Sequence, residues 1–299
     1  MAIVPPPNSL LRVLPPRLMW HRGTDAGAAW LESLPRLVGR CAERWSLELG
    51  DPFPDSRVAL VVPATTPDGN DAVLKIQYVD RETAHEAAAL ARWNGDGAVR
   101  LLDHDPTMHA LLLERCTPGT HLADRDPDEA LDVLIALLPR LWKQAGDPFT
   151  TLVTEARHWS RQLPGRWERA SRPFERELLD TALALMDDLG ESQREQVLLH
   201  QDLHADNVLA AQREPWLAID PKPLVGEREF AVAPIVRGEE LGHSRALVVH
   251  RLDRLSSELG LDRERARGWT IAQTLAWAFE NDRVLPRHVE TARWLADGR

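Results

Sequence analysis

The stretch LLHQDLHADNVLAA, Leu198 to Ala211, decides how this chain is interpreted. Within eight residues, between two apolar runs, lie His200, Asp202, His204, Asp206 and Asn207. Such a cluster can be a transition-metal site, a phosphoryl-transfer loop or an ordinary solvated turn. The pattern of the flanking segments and the other polar residues of the chain distinguish among these three possibilities.

A transition-metal site formed by His200, Asp202, His204 and Asp206 is disfavoured. Histidines four residues apart could share a helix face, but the flanks VLLH and NVLA have a strand-like pattern. His200, Asp202 and Asn207 instead match the spacing H-x-D-x-x-x-x-N of a phosphotransferase loop. In such a loop a carboxylate accepts the proton of the attacking hydroxyl, and an amide oxygen reaches a phosphate-bound Mg²⁺.

A second carboxylate for that metal is available at Asp220. It ends the apolar run WLAID, 13 residues after Asn207. Kinases place the aspartate of their D-F-G motif at such a strand end, although Pro221 and Lys222 follow here. Mg²⁺ prefers oxygen ligands, so one amide and one carboxylate suit it.

Lys75 and Glu86 form the second candidate pair. Lys75 lies within the strand-like run AVLKIQY, and Glu86 lies on the Ala-rich helical segment that follows. Each alone is typical of a solvated face, but together they predict the lysine–glutamate pair that holds a kinase lysine against nucleotide phosphates. Glu82, one turn earlier, is the alternative partner.

The order of the elements predicts an α+β, bilobal fold. A Pro-rich N-terminal arm covers residues 1–24 and is expected to be extended. Residues 25–116 form a small, β-rich, antiparallel nucleotide-binding lobe with one inserted helix. Residues 117–299 form a larger, mainly helical lobe for catalysis and acceptor binding.

Hydrophobic periodicity places the individual elements. A hairpin is expected from 56–64 and 72–79, and further strands at 99–105 and 109–116. Short strands are expected within 198–230. Helices are predicted at 25–45 with a break at Pro35, and at 80–94, 127–146, 151–163, 173–190 and 243–295.

The composition of the chain limits which binding partners and which cellular location are expected. The formal charge of −10 disfavours nucleic acid and suits a cationic or neutral small substrate, although a plain solubility charge explains it equally well. The two cysteines have no zinc-binding spacing. Prolines near the N-terminus disfavour a signal peptide, and no apolar run is long enough to span a membrane. We therefore expect a cytoplasmic protein, a monomer or weak dimer.

The region LLHQDLHADNVLAAQREPWLAIDPKPLVGEREF resembles the aminoglycoside/hydroxyurea phosphotransferases, particularly the streptomycin 6-kinase type. The similarity extends upstream through ALVVPATTPDGNDAVLKIQ and downstream through LGLDRERARGWTIAQ, covering roughly residues 25–295. It implies a protein-kinase-like fold, ATP or GTP, Mg²⁺, and phosphorylation of a hydroxyl on an aminocyclitol antibiotic.

The resemblance also implies residue roles. Asp202 is the expected catalytic base, and Asn207 and Asp220 are the expected metal ligands. Lys75 and Glu86 are the phosphate-positioning pair. The family commonly has an aspartate after GEREF, and this chain has Ala231 there.

Further site residues are predicted from position. His200 is expected to brace the loop, and His204 and Lys222 to support the site or contact substrate. Segment 49–56 is expected to cover the nucleotide, with backbone groups of Glu114 and Cys116 offered to adenine. A cationic acceptor is expected to bind carboxylates and to stack on an indole: Glu239, Glu240, Glu280, Asp282 and Trp277.

Two alternatives stay open at this stage. The protein could phosphorylate another small hydroxylated metabolite. It could also be a non-catalytic, ligand-binding pseudokinase of the same fold.

Overall fold

The computed structural model describes residues 14–280 and 283–298. The chain divides into two compact units, with the boundary between Gly119 and Thr120. In the part of the chain that is described, no helix is both long enough and apolar enough to cross a membrane.

A five-stranded antiparallel sheet is the centre of the first unit. Its order is β1-β2-β3-β5-β4, and the strands are β1 Glu48–Leu49, β2 Ala59–Thr65, β3 Asp71–Gln77, β4 Leu101–Asp105 and β5 Ala110–Glu114. The predicted hairpin is confirmed, since β2 and β3 pair antiparallel with Lys75 opposite Val61. Its turn contains Gly69, whose φ of +80° is accessible to glycine at little cost.

Helix α1, Asp25–Trp45, packs on this sheet. The predicted break at Pro35 is wrong, because α1 continues through that residue. A proline removes one backbone hydrogen bond from a helix interior. Here the buried side chains of Leu34 and Val38, on either side of Pro35, join the core cluster and keep both halves of the helix against the sheet.

The predicted N-terminal arm is partly helical. Within the described residues, Pro16–Gly23 forms a 3₁₀-helix and not an extended segment. Its Leu18 and His21 are buried, which explains why this segment folds onto the unit. Residues 1–13 lie outside the described part of the chain.

Helix α2 is shorter than predicted and begins at Glu86, the candidate partner of Lys75. It spans Glu86–Trp93, whereas the sequence pattern predicts 80–94. The Asp80 carboxylate accepts hydrogen bonds from the backbone N–H groups of Glu82 and Thr83, at 2.9 and 3.0 Å, and holds the preceding residues in a turn. Glu86 is therefore the first residue of the helix.

The second unit is mainly helical. Its helices are α3 Pro127–Leu141, α4 Leu152–Arg169, α5 Arg176–Glu191, α6 Ala233–Arg237, α7 Arg245–Leu259, α8 Arg263–Ala276 and α9 Pro286–Ala296. The predicted helical region 243–295 consists of three helices, and a hairpin of β11 Phe279–Glu280 and β12 Arg283–Val284 lies between α8 and α9. Helix α8 packs against α5, α6 and α9, and every residue from Gly268 to Ala276 is buried.

Short strands frame one polar loop in this unit. A three-stranded sheet has the order β6-β10-β7, with β6 Thr150–Thr151, β7 Val197–Leu199 and β10 Leu224–Gly226. A separate pair joins β8 Val208–Ala210 to β9 Trp216–Ala218. The short strands predicted around the polar loops of 198–230 are confirmed, and they fix the ends of the loop between β7 and β8.

Candidate active site

The loop between β7 and β8 carries the polar cluster of the sequence. His200 follows β7, and the loop closes with a short 3₁₀-turn, Ala205–Asn207, before β8. Gln201 has a φ of +66°, and Asp220, after β9, has a φ of +59°. Non-glycine residues in this left-handed region are uncommon and cluster at functional sites.

Hydrogen bonds hold this loop beside the segment that follows β9. The N–H of Ile219 donates to the carbonyl of Asn207 at 2.9 Å, and the N–H of Lys222 donates to the carbonyl of His200 at 3.0 Å. Nε2 of His200 lies 2.9 Å from the carbonyl oxygen of Ile219. Asn207 and Asp220 are therefore brought to neighbouring positions on paired segments, although 13 residues separate them in the chain.

The His200 side chain, predicted to brace the loop, is buried in contact with the segment that follows β9. It is 3% exposed, and burial lowers its pKa to about 4 against the opposing effect of Asp202. A neutral imidazole that contacts the Ile219 carbonyl joins the two segments without adding charge to the site.

Asn207 is oriented within the loop. Its side-chain nitrogen donates to the backbone carbonyl of Asp202 at 2.9 Å and lies 3.1 Å from Nε2 of His204. The amide oxygen is then the group that can bind a cation. The Asp220 carboxylate, on the paired segment, is a second hard-oxygen donor, and Mg²⁺ prefers such oxygens.

Two cations, Lys222 and Arg237, and the imidazole of His204 lie close to the Asp202 carboxylate. Its Oδ2 lies 3.1 Å from Nζ of Lys222, and its Oδ1 lies 3.6 Å from Nη2 of Arg237 and 3.9 Å from Nε2 of His204. Burial by itself raises the pKa of the Asp202 carboxyl, but the nearby Lys222, His204 and Arg237 outweigh it and hold that pKa below its usual range. Asp202 is consequently ionised at neutral pH.

Both cations, Lys222 and Arg237, also contact the indole ring of Trp277. Nζ of Lys222 lies 4.7 Å from the centroid of the indole ring, and the guanidinium carbon of Arg237 lies 4.8 Å from it. The ring predicted to stack on the acceptor thus already interacts with two cations of the protein. This arrangement fixes both cations near the Asp202 carboxylate.

Glu240 is the predicted acceptor-binding carboxylate that reaches the loop. Its Oε1 accepts a hydrogen bond from the N–H of Ala205 at 3.0 Å and lies 3.8 Å from Nδ1 of His204. The same ring nitrogen lies 3.8 Å from Oδ2 of Asp206. Among the described residues, the set of three or more His, Cys, Asp or Glu side chains close enough to share one metal is His204, Asp206 and Glu240, so the alternative set that includes His200 and Asp202 is not assembled.

The other predicted acceptor carboxylates lie elsewhere. Glu239 forms an exposed ion pair with Arg287 at 2.8 Å. Glu280 is exposed in β11. Asp282 lies outside the described residues.

The predicted Lys75–Glu86 pair is present in the first unit. Nζ of Lys75 lies 2.7 Å from both carboxylate oxygens of Glu86, and the side-chain nitrogen of Gln77 donates to Oε2 of Glu86 at 2.6 Å. Lys75 and Glu86 are 5% and 1% exposed. The strand alternation that puts Lys75 and Gln77 on one face therefore points both side chains at the first residue of α2.

The predicted adenine-contacting segment follows β5. Glu114 ends that strand, and its carboxylate accepts from the N–H of Arg100 at 2.9 Å. Cys116 is partly buried and is not part of a disulfide bond. Gly119 closes the segment with a φ of +76°, where a Cβ atom would lie 2.9 Å from the carbonyl oxygen of Cys116. The backbone roles of Glu114 and Cys116 stay predictions.

Sequence reasoning missed Arg237 and Gln273. Arg237 is a cation at the end of an otherwise apolar helix, and Gln273 lies within the fully buried part of α8. A polar residue inside an apolar run is the signal that would have found both. Ala231 is buried in the 3₁₀-segment Arg228–Val232, and its methyl group cannot form a hydrogen bond to the loop.

Comparison with known proteins identifies the family. Residues 44–284 match the model for aminoglycoside/hydroxyurea antibiotic resistance kinases. The chain is 40% identical to streptomycin 6-kinase from Streptomyces griseus over 287 residues, which cover 92% of this chain and 93% of that protein. It is also 40% identical to hydroxyurea phosphotransferase from Kitasatospora aureofaciens over 270 residues, 88% of this chain and 78% of that protein.

Solved structures agree on the fold. Choline kinase from Streptococcus pneumoniae matches with a TM-score of 0.62 at 13% identity, over 87% of this chain and 99% of that chain. An aminoglycoside phosphotransferase in ternary complex with ADP and hygromycin B matches with a TM-score of 0.58 at 13% identity, over 86% and 94%. The predicted α+β, protein-kinase-like fold is confirmed. The resemblance in the sequence is confirmed as well, and the chain belongs to the aminoglycoside/hydroxyurea antibiotic resistance kinase family.

Proposed function

We propose that this enzyme transfers the γ-phosphoryl group of ATP to a hydroxyl of a streptomycin-type aminocyclitol antibiotic, with Mg²⁺ as the cofactor. The observation that carries the proposal is the Asp202 carboxylate, held beside Lys222 and Arg237 on a loop whose Asn207 pairs with the segment that precedes Asp220. The 40% identity with streptomycin 6-kinase over nearly the whole chain supports this acceptor class.

Asp202 would orient the acceptor hydroxyl. Its carboxylate accepts a hydrogen bond from the hydroxyl and aims the oxygen at the γ-phosphorus. As the new O–P bond forms, the bond from the γ-phosphorus to the bridging oxygen breaks, ADP leaves, and the hydroxyl proton passes to the carboxylate. Phosphoryl transfer requires mainly positioning and charge neutralisation, so a carboxylate held ionised by Lys222 suits this role.

Lys75 would hold the nucleotide phosphates, with Glu86 fixing the position of its ammonium group. Asn207 and Asp220 would bind the Mg²⁺, which neutralises phosphate charge when bound. Backbone groups at Glu114 and Cys116 would contact the adenine. Because ATP is the proposed co-substrate, we expect the enzyme to act in the cytoplasm. A monomer or weak dimer stays a prediction from the sequence.

Glu240 is the best-placed acceptor contact among the predicted carboxylates. It is anchored to the catalytic loop through the N–H of Ala205, and its side chain is 15% exposed. The exposed carboxylate of Asp206 lies on the same side of His204. Guanidinium groups favour paired carboxylate acceptors, so these two residues would select a cationic acceptor.

One comparison also supports hydroxyurea as a second candidate acceptor. The chain is as similar to hydroxyurea phosphotransferase as it is to streptomycin 6-kinase, at 40% identity in both cases. Hydroxyurea carries a hydroxyl group and no cationic group. The acidic pair therefore favours streptomycin, and the two acceptors should be compared directly.

The test is an ADP-release assay with ATP and Mg²⁺ on three acceptors: streptomycin, hydroxyurea and a neutral sugar. Product mass must rise by one phosphoryl group. We expect streptomycin to give the highest kcat/KM, and Asp202→Asn to lower kcat by roughly 10³-fold or more with nucleotide binding retained. Binding of streptomycin without turnover would indicate the pseudokinase alternative. Turnover of the sugar alone would indicate a metabolite kinase.

A further inference from the structure

One buried side chain of α8 joins two parts of the catalytic site. The side-chain nitrogen of Gln273 donates to the backbone carbonyl of Gln201 at 3.0 Å. The side-chain oxygen of the same residue accepts from Nη1 of Arg237 at 2.6 Å. Gln273 is 0% exposed, Gln201 2% and Arg237 9%, so water does not compete strongly for either hydrogen bond.

The first of these bonds restrains the backbone next to Asp202. Gln201 precedes Asp202 directly and has a φ of +66°. A non-glycine residue in this conformation is strained and persists only where its surroundings hold it. The bond from Gln273 holds the peptide group that sets the direction in which the Asp202 side chain leaves the backbone.

The second bond fixes a cation at the Asp202 carboxylate. Nη1 of Arg237 donates to Gln273, and Nη2 of the same guanidinium lies 3.6 Å from Oδ1 of Asp202. A guanidinium is planar and rigid. Fixing one nitrogen therefore determines where the other lies relative to the carboxylate.

We propose that Gln273 is a positioning residue for phosphoryl transfer, holding both the peptide group before Asp202 and the guanidinium that faces the Asp202 carboxylate. The inference rests on the proposed function, because it takes Asp202 as the residue that orients the acceptor hydroxyl. Gln273 itself touches neither substrate nor reacting atoms, and acts through Gln201 and Arg237.

A purely structural role would also explain why Gln273 is buried and forms these two hydrogen bonds. Burying an amide in an apolar helix is unfavourable unless it forms hydrogen bonds, and Gln273 forms two. The two roles differ in what they predict. A structural role changes the free energy of unfolding, whereas a positioning role changes kcat in the folded enzyme.

The experiment uses two substitutions of similar size. Gln273→Met removes both hydrogen bonds. Gln273→Glu keeps an acceptor for Arg237 but replaces the donor to the Gln201 carbonyl with an oxygen. The control is Thr270→Val, one turn earlier on the buried face of α8, where the hydroxyl bonds only to the carbonyl of Ala266 in its own helix among the contacts described.

For both Gln273 variants we expect kcat to fall by up to about 10²-fold, the usual effect of misplacing a reacting group by about 1 Å. The KM values for ATP and streptomycin should stay within about threefold, and Thr270→Val should retain the kcat of the unmodified enzyme. Turnover is normalised to folded protein by near-UV circular dichroism, well below each variant's Tm. In the double variant Gln273→Met/Arg237→Met, the loss should be smaller than the product of the two single losses, because both act on one carboxylate.

Several results would overturn the proposal. They are an unchanged kcat in either Gln273 variant, a loss of kcat equal to that of Thr270→Val, or fully multiplicative losses in the double variant. Failure of both Gln273 variants to fold would assign the residue to stability alone. Failure of the proposed function looks different, because then the unmodified enzyme would phosphorylate none of the three acceptors.

Discussion

Both carboxylate oxygens of Glu86 lie 2.7 Å from Nζ of Lys75, and the two side chains are only 1% and 6% exposed. Removing two charges from water is costly, and a bidentate contact offsets that cost only while both partners remain. The Gln77 amide also donates a hydrogen bond to Oε2 of Glu86, at 2.6 Å. Removing only one of the two charges should therefore destabilise the protein, because the other charge stays buried without its partner.

Lys75→Met should destabilise the protein by about 3–5 kcal/mol, because it leaves the Glu86 carboxylate buried without its cation. The double variant Lys75→Met/Glu86→Gln should recover much of that loss, since a neutral amide can still accept from Gln77. The free energy of unfolding in urea measures both effects. Neither variant should turn over. Equal stability of the single and double variants would show that the charge of Glu86 is not the cause.

A second buried pair lies in the helical unit. Glu227 is fully buried, and its carboxylate accepts from Arg265 at 2.7 Å and from the indole N–H of Trp269. Arg265→Met should lower the free energy of unfolding by about 3–5 kcal/mol. The control is Arg263→Met, on the same helix as Arg265. Its ion pairs among the contacts described are exposed, so this change should alter the free energy of unfolding by about 0–1 kcal/mol. Similar losses in both variants would contradict the assigned importance of burial.

The sequence predicted the parts of the site that depend on local pattern. Strand alternation placed Lys75 facing the helix that carries Glu86. The turn chemistry and short strands around 198–230 placed Asn207 and Asp220 at the ends of two segments that pair. These inferences need only the period of a strand and the length of a loop.

The sequence did not predict contacts made across the helical unit. Arg237 and Gln273 reach the loop from α6 and α8, and nothing local indicates which buried polar groups will meet. The break expected at Pro35 failed for a related reason, because packing of Leu34 and Val38 on the sheet outweighs the lost hydrogen bond. Tertiary packing decides both cases.

The proposed Mg²⁺ site predicts a specific response to metal. Chelation with EDTA should abolish turnover, and added Mg²⁺ should restore it. Asp220→Asn should raise the Mg²⁺ concentration needed for half-maximal turnover by roughly tenfold or more, the change expected when an equilibrium loses about 1.4 kcal/mol or more. Asp206→Asn changes an exposed carboxylate in the loop between β7 and β8, and should leave the Mg²⁺ requirement unchanged. A shift in the Asp206 variant as large as that in the Asp220 variant would argue against the assigned ligands.

His288 makes the stability of the helical unit depend on pH. Burial, followed by the charges of Arg237 and His243, lowers the pKa of His288 from 6.5 to about 4. Between pH 6.5 and 4 the unfolded chain therefore binds more protons at this residue than the folded protein does. Its contribution to stability is complete above pH 6.5 and is lost as the pH falls towards 4.

His288→Gln should remove this dependence. The free energy of unfolding of the unmodified protein, measured in urea from pH 7 to pH 4, should fall more steeply than that of the variant, with a difference in slope of at most about 1.4 kcal/mol per pH unit. His200, whose pKa is also lowered to about 4, titrates over the same range in both proteins, so the difference isolates His288. Parallel curves would mean that His288 takes up its proton as readily in the folded protein as in the unfolded chain.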